Sequence, residues 1–371
     1  MDSKSLVTKP HYDILDGLRG VAALMVVIFH ICETHGMVGF YQFFYHGYLA
    51  VDFFFVLSGF VIGYAYDDRW SKITFGSFFK RRLVRLHPMV VMGMVIGALL
   101  FYFGDSAMFP AIHEVPVWKV ILYMALGMLL IPVPPSINGH NMDIRGWEEM
   151  HTLDAPCWSL FFEYIANILY ALVIRKFSTK ALAVLVFLAG CVLIHLTVIV
   201  KGDVAGGWVF NPAHLHIGFT RLFYPFFAGL LLFRIGKLIR LKHAFLLCSM
   251  LIIAVLSIPR IGGDHVWMNG LYESFCIILV FPLIVFLGAS GELKGKYSSR
   301  ICKFLGDISY PVYIVNYPII YIYTGWVSDK KLPLEDALPV AMLVFVSCVA
   351  LAYACLKLYD EPVRKWLKKK V

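Results

Sequence analysis

Eleven apolar stretches run through the chain, at residues 14–32, 47–66, 88–103, 117–132, 156–174, 181–200, 217–233, 244–259, 270–288, 305–327 and 336–358. Each approaches the roughly 20 residues that a helix needs to cross a bilayer. With 60% apolar and only 15% charged residues, so much apolar surface cannot be hidden in one soluble core, and most of it must face lipid. The same balance excludes disorder, a coiled coil and a disulfide scaffold. The eight cysteines fall mostly inside apolar stretches with no C-x-x-C pair, so neither a disulfide framework nor a zinc site is indicated. No internal repeat, low-complexity segment or appended soluble domain is visible. The N-terminal MDSKSLVTKPHYD is polar and lacks a cleavage pattern, so the first apolar run is expected to stay in the mature protein. The fold class this predicts is all-α, a polytopic membrane helix bundle.

Charge orients the bundle. Lys plus Arg number 33 and Asp plus Glu 24, a net +9, but the basic residues form short clusters between apolar runs, the mark of cytoplasmic loops rather than of nucleic-acid binding. Lys4 and Lys9 precede the first stretch, and Arg69, Lys72, Lys80, Arg81, Arg82 and Arg85 fall between the second and third. Further clusters are Arg175, Lys176 and Lys180; Arg234, Lys237, Arg240 and Lys242; Lys294, Lys296, Arg300 and Lys303; and the tail from Arg364 to Lys370. The connections 33–46, 201–216 and 260–269 are almost free of Lys and Arg and read as external, as does 328–335. Three apolar stretches lie between the cytoplasmic loops 67–87 and 175–180, and an odd number of crossings cannot join two loops on one side. The fourth stretch, 117–132, is short and ends in Ile131-Pro132-Val133-Pro134-Pro135, which breaks a helix. It is expected to be re-entrant or interfacial, leaving about ten transmembrane helices, both termini cytoplasmic, and an external segment 133–155 bearing Asp143, Glu148, Glu149 and Asp154.

A charge at mid-membrane costs about 2.5–3.5 kcal/mol on insertion scales, so each one inside a span is a candidate for function. Arg19 and His30 sit eleven residues apart in the first span, roughly 16 Å along a helix and nearly on one face; a lone helix-end histidine also serves as interfacial packing. In the second span Asp52 is expected near the outer level of His30, where carboxylate and imidazole can form an acid/base pair or Asp52 a structural ion pair. Ser58-Gly59 reads as a close helix approach rather than a nucleophile, with no G-x-S-x-G around it. Arg82 and Arg85 are one helical turn apart and present two guanidinium forks that suit phosphate, although such runs also anchor headgroups. Glu163, in Trp158-Ser159-Leu160-Phe161-Phe162-Glu163, is expected about two turns in from the outside, near His30, and needs a partner to stay charged. His11 and Asp16 fit an H-x4-D spacing that short chance matches also satisfy. His214-Leu215-His216 lacks a third metal ligand, and no metal site is assigned.

The blocks LDGLRGVAALMVVIFH (15–30), VDFFFVLSGFVI (51–62), FFKRRLVRLHP (78–88), WSLFFE (158–163), LGDISYPVYIVNYP (305–318) and DEPVRKWL (360–367) together resemble the integral-membrane acyltransferase family 3, the O-acyltransferases of bacterial surface polysaccharides and related substrates. The resemblance runs from about 12 to 368 and makes residues 1–371 a single integral-membrane acyltransferase domain of the minimal kind, without the SGNH esterase-like domain of longer members. It implies transfer of an acyl group, usually acetyl from acetyl-CoA, to a hydroxyl of a carbohydrate or glycolipid at a bacterial inner membrane, with acetyl-CoA as donor substrate and no bound cofactor. It implies Arg19 and His30 as an essential pair, Arg82 and Arg85 as donor-side arginines and Glu163 as a further candidate. Many members have His where this chain has Asn316, which removes that histidine's role here.

Residues and resemblance meet in one expected mechanism. Arg19, Arg82 and Arg85 hold the CoA phosphates, while His30, Asp52 and Glu163 are the catalytic residues of an outer site. His30 deprotonates the acceptor hydroxyl or briefly takes the acyl group, and its neutral imidazole makes activity fall at acidic pH. The rival reading is a proton-coupled transporter or exporter using the same buried His, Asp and Glu as a relay; the Arg82-x-x-Arg85 fork is what a relay does not need. A structural partner of a polysaccharide assembly complex is a third reading. Acceptor identity, acyl length and oligomeric state are not encoded in any recognisable motif.

Overall fold

The computed structural model describes residues 9, 11–37, 39–293 and 295–370; Lys4 and Lys294, counted above among the orienting charges, lie outside them. Fourteen α-helices follow one another among the described residues: α1 Asp13–Glu33, α2 Ala50–Tyr66, α3 Phe75–Leu100, α4 Val117–Met128, α5 Cys157–Leu172, α6 Thr179–Ile194, α7 Pro212–Ile235, α8 Ala244–Leu256, α9 Val266–Phe275, α10 Phe281–Ala289, α11 Lys296–Val315, α12 Tyr317–Lys330, α13 Leu334–Cys355 and α14 Glu361–Lys368. The only strands among them are the two-residue pair Ser136–Ile137 and His140–Asn141. The protein is an all-α polytopic helix bundle.

Among the described residues eight helical segments are long and apolar enough to cross a membrane. That is two fewer than the ten expected: α8 is apolar but only 13 residues long, and in the α11–α12 pair the first helix carries Lys296, Arg300, Lys303 and Asp307. The stretch 305–327, expected as one span, is interrupted at Asn316, because Pro318 at the start of α12 cannot supply a backbone N–H to continue the ladder. The stretch 270–288 is continuous but widens into a π-helical turn at Cys276–Val280 between α9 and α10. In the fourth apolar stretch α4 has 12 residues, roughly 18 Å at 1.5 Å per residue against a hydrocarbon core of about 30 Å.

One expectation is corrected. Lys80, Arg81, Arg82 and Arg85 are not in a loop; α3 starts at Phe75, before them. A capping box explains the early start: Thr74 Oγ1 accepts from the Ser77 N–H at 3.2 Å, and Ser77 Oγ accepts from the Thr74 N–H at 3.1 Å. The arginines are therefore fixed on a helix instead of trailing in solvent.

α1 is the central element, packed along α11 and flanked by α2, α8 and the 3₁₀ turns of Gly39–Leu49. α2 lies against α7 so closely that a Cβ added at Gly229 would collide with the Val56 carbonyl, and one at Gly59 with the Phe226 carbonyl. The expectation for Ser58-Gly59 thus holds: glycine lets two backbones meet where any side chain would part them. Segment 129–156 folds over one end of the bundle. The Met150 N–H donates to the Trp208 carbonyl at 2.8 Å, and Glu149 bridges antiparallel to Val209.

Candidate active site

Two cavities lie along α1. The inner one, about 620 Å³, is lined from α1 by Asp13, Asp16 and Arg19, from α3 by Arg81, Arg82 and Arg85, and from α5 by Ser159 and Glu163. α11 adds Lys303 and Tyr310, and α14 adds Arg364 and Lys368. Residues next to both chain ends therefore share one face with the basic start of α3, the face that the positive-charge rule makes cytoplasmic. Arg19, Arg82 and Arg85, expected together on a phosphorylated donor, do converge here. Arg19 Nη1 donates to Asp16 Oδ1 at 2.7 Å, and Arg82 Nη2 to Glu163 Oε1 at 2.5 Å. Ser58 Oγ also donates to Glu163 Oε1, at 2.9 Å. Arg85 stays accessible at the cavity wall. His11, at the mouth, is 3.0 Å from Asp16 and 3.2 Å from Asp13; the Asp16 hydrogen bond raises it above its ordinary value of 6.5.

The outer cavity, about 570 Å³, is mainly aromatic, with Tyr45, Tyr48, Trp147, Trp158, Trp208 and Tyr317 around His30, Glu33, Glu149 and Arg221. His30 Nδ1 lies 3.0 Å from Glu33 Oε2. Because the carboxylate accepts, Nδ1 carries the proton, which leaves the Nε2 lone pair free as a base. The ring also meets Tyr317 edge-on at 4.6 Å, so its plane is fixed from two sides. Two expectations are corrected here. Asp52 does not pair with His30: it is fully buried against Arg221, which donates from Nη2 to Oδ2 at 2.7 Å and from Nε to Oδ1 at 3.2 Å. Arg221 also donates to the Tyr48 and Gly206 carbonyls. Desolvation makes that outcome the stable one, since a buried carboxylate needs a full cation more than a shared imidazole proton. Glu163 is not at the level of His30 either; its partner is Arg82, and it lines the inner cavity.

Val51 and Tyr313 line both cavities. They form the partition between them, with Tyr313 held by a 2.7 Å hydrogen bond to Ser159 and by the edge of Phe54. Sequence reasoning passed over Glu33, Arg221, Tyr313 and Glu149. Glu33 was within reach of it, being three residues from His30 and so on the same helical face. Arg221 was legible as well, being a charge inside the apolar stretch 217–233, whereas Glu149 counts in the sequence only as one of several loop carboxylates.

The family model of an acyltransferase domain matches residues 12–357. The chain is 34% identical over 167 residues to protein 2 in the picA locus of Rhizobium radiobacter, covering 43% of this chain and 80% of that one. It is 23% identical over 372 residues to the O-acetyltransferase OatA of Staphylococcus aureus, covering 95% of this chain. The match takes in only 57% of OatA, so the chain spans little more than half of that relative. No solved structure matches. An all-α chain with helices long and apolar enough to cross a membrane, matched by the family model over residues 12–357, is thus a multi-pass membrane protein, and it belongs to this acyltransferase family.

Proposed function

We propose that the protein moves an acyl group, acetyl in the first instance, from acyl-CoA bound at the cytoplasmic face of a bacterial inner membrane to a hydroxyl of a carbohydrate or glycolipid at the outer face. The observation that carries this reading is the pair of cavities that meet at Val51 and Tyr313, cationic on one side and holding an oriented histidine on the other. The donor phosphates lie on Arg19, Arg82 and Arg85, and the pantetheine arm passes the partition and delivers the thioester to His30. Nε2 takes the proton of the acceptor hydroxyl as its oxygen attacks the acyl carbon. Arg221 stands at the cavity wall as a donor toward the oxyanion. Asp52 acts through Arg221 as a positioning residue, and Glu163 acts in the same way through Arg82.

A proton relay through His30, Asp52 and Glu163 is poorly served by this arrangement, because both carboxylates are committed to arginines. The test is incubation of purified protein in nanodiscs with radiolabelled acetyl-CoA and alkali-deacylated envelope glycan, with CoA release followed by chromatography. Label in the glycan with stoichiometric CoA release is expected. CoA left intact, or release unaffected by His30→Ala, would overturn the proposal.

A further inference from the structure

Glu149 faces the outer cavity from outside the membrane-spanning helices, and the chain goes to some length to hold it there. The preceding residue, Glu148, is in the left-handed region at φ 54°, a conformation that non-glycine residues keep only when the surroundings fix it. Asp143 does the fixing: its carboxylate accepts the Arg145 N–H at 2.9 Å and the Glu148 N–H at 2.8 Å. Beyond the turn, the Glu149 backbone is bridged to Val209. The side chain, 5% exposed, accepts a hydrogen bond from the Tyr321 hydroxyl. Tyr321 in turn packs on Tyr317 at 4.7 Å, and Tyr317 packs on His30. Imidazole and carboxyl therefore line one cavity, linked by two tyrosine rings of α12.

Among the described residues no cation forms an ion pair with Glu149. Arg145, the nearest candidate, lies over the Tyr321 ring at 3.6 Å and donates from Nε to the Thr152 carbonyl at 3.1 Å. Of the charges felt at this carboxyl, Arg145 favours the ionised form, while Asp143 in its own segment and Glu33 on α1 favour the protonated one. A carboxyl so placed is an acid rather than a counter-ion.

We propose that Glu149 is the proton donor of the outer site, protonating the CoA sulfur as the acyl–sulfur bond breaks while His30 takes the proton of the attacking hydroxyl. This rests on the acyl-CoA reading above. The acceptor oxygen forms the new bond to the acyl carbon, and the sulfur leaves with the Glu149 proton as CoA thiol. The imidazolium proton then returns to the Glu149 carboxylate through the cavity, so the enzyme is restored and no other reactant is needed. Burial pushes Glu149 up to about 8, against the lowering effects of the Tyr321 hydrogen bond and the Arg145 charge, which keeps it protonated at neutral pH and matches it to a thiolate leaving group.

The experiment measures CoA release from acetyl-CoA across pH 5.5–9.5 by the full chain in nanodiscs, with deacylated envelope glycan as acceptor. Wild type is expected to lose activity above about pH 8 as Glu149 ionises. Glu149→Gln should lower kcat about 10²-fold or more, change the donor KM less than about threefold, and abolish the alkaline limb. Tyr321→Phe, which removes the lowering hydrogen bond, should move that limb to higher pH whatever its kcat; it decides the matter if Glu149→Gln does not fold. A merely structural Glu149 would leave the limb in place in both variants, and that result, or wild-type kcat in Glu149→Gln, overturns the proposal. A wild type that releases no CoA overturns the acyl-CoA reading itself, a different outcome from an active wild type indifferent to Glu149.

Discussion

The two cavities are similar in size and opposite in character. In the inner one several charges have an opposite charge in reach: Arg19 with Asp16, Arg82 with Glu163, His11 with Asp13 and Asp16, and Arg364 with Asp360. In the outer one His30 and Glu149 are surrounded by rings, and the one strong ion pair, Asp52–Arg221, is fully buried beside it. The contrast is what the proposed function asks of each. A site for a polyanion needs cations that carboxylates keep in place until the ligand displaces their influence, whereas a site for proton transfer needs groups whose proton is not locked by a full countercharge.

The largest effect that tests this contrast is on the outer side. His30→Ala should reduce acyl transfer by about 10²–10⁴-fold while leaving CoA binding, measured by calorimetry, unchanged; lost binding would mean the two cavities are not separate in function. Next comes the buried pair. Asp52→Ala leaves the Arg221 guanidinium, 1% exposed, without its carboxylate and should destabilise the protein by about 3–5 kcal/mol in thermal or chemical unfolding. Replacing both residues by apolar ones should recover much of that loss, which a direct catalytic role for Asp52 would not predict for stability. On the inner side, Arg85→Ala should raise the donor KM roughly tenfold or more, in line with about 1.5–3 kcal/mol for a hydrogen bond to a charged group, with kcat little changed. An equal fall in kcat would place Arg85 at the chemistry.

The smallest effect concerns pH at the inner mouth. The Asp16 hydrogen bond raises His11 above 6.5, so its charge and its ion pairs are fully present below pH 6.5 and disappear as pH rises through the raised value. Donor affinity should therefore improve modestly on acidification, and His11→Gln should flatten that dependence; the same slope in the variant would assign the effect elsewhere.

The bundle was legible in the sequence because lipid imposes length and apolarity on every span, and the short fourth segment because loop charges must obey parity. Arg19, Arg82 and Arg85 were legible as a group, since helical spacing puts each on the needed face and the positive-charge rule puts all three at one depth. Partners were not. Asp52 was placed at the right end of α2, but its cation comes from α7, 169 residues away, and nothing along the chain specifies which helices touch. Glu163 was misplaced because α5 passes from the outer cavity at Trp158 to the inner one within a turn, so two turns in it already lines the inner cavity, where Arg82 of α3 holds it. Glu149 was invisible for another reason: a loop carboxylate looks solvated until the turn at 143–148 folds it inward.

The contact between α2 and α7 has a mechanical meaning. Backbone touches backbone at Gly59 and Gly229, Asp52 is clamped to Arg221 near one end, and Asp67 accepts two bonds from Arg234 at the other. Three fastenings along one seam make the two helices a single beam, and one wall of both cavities belongs to it. A carrier that alternates its access by rocking helices apart would have to break all three at once. Chemistry that crosses the membrane beside such a beam is better done by threading the reactive end of a long donor past a fixed partition, with the protein standing still and only the substrate changing its depth.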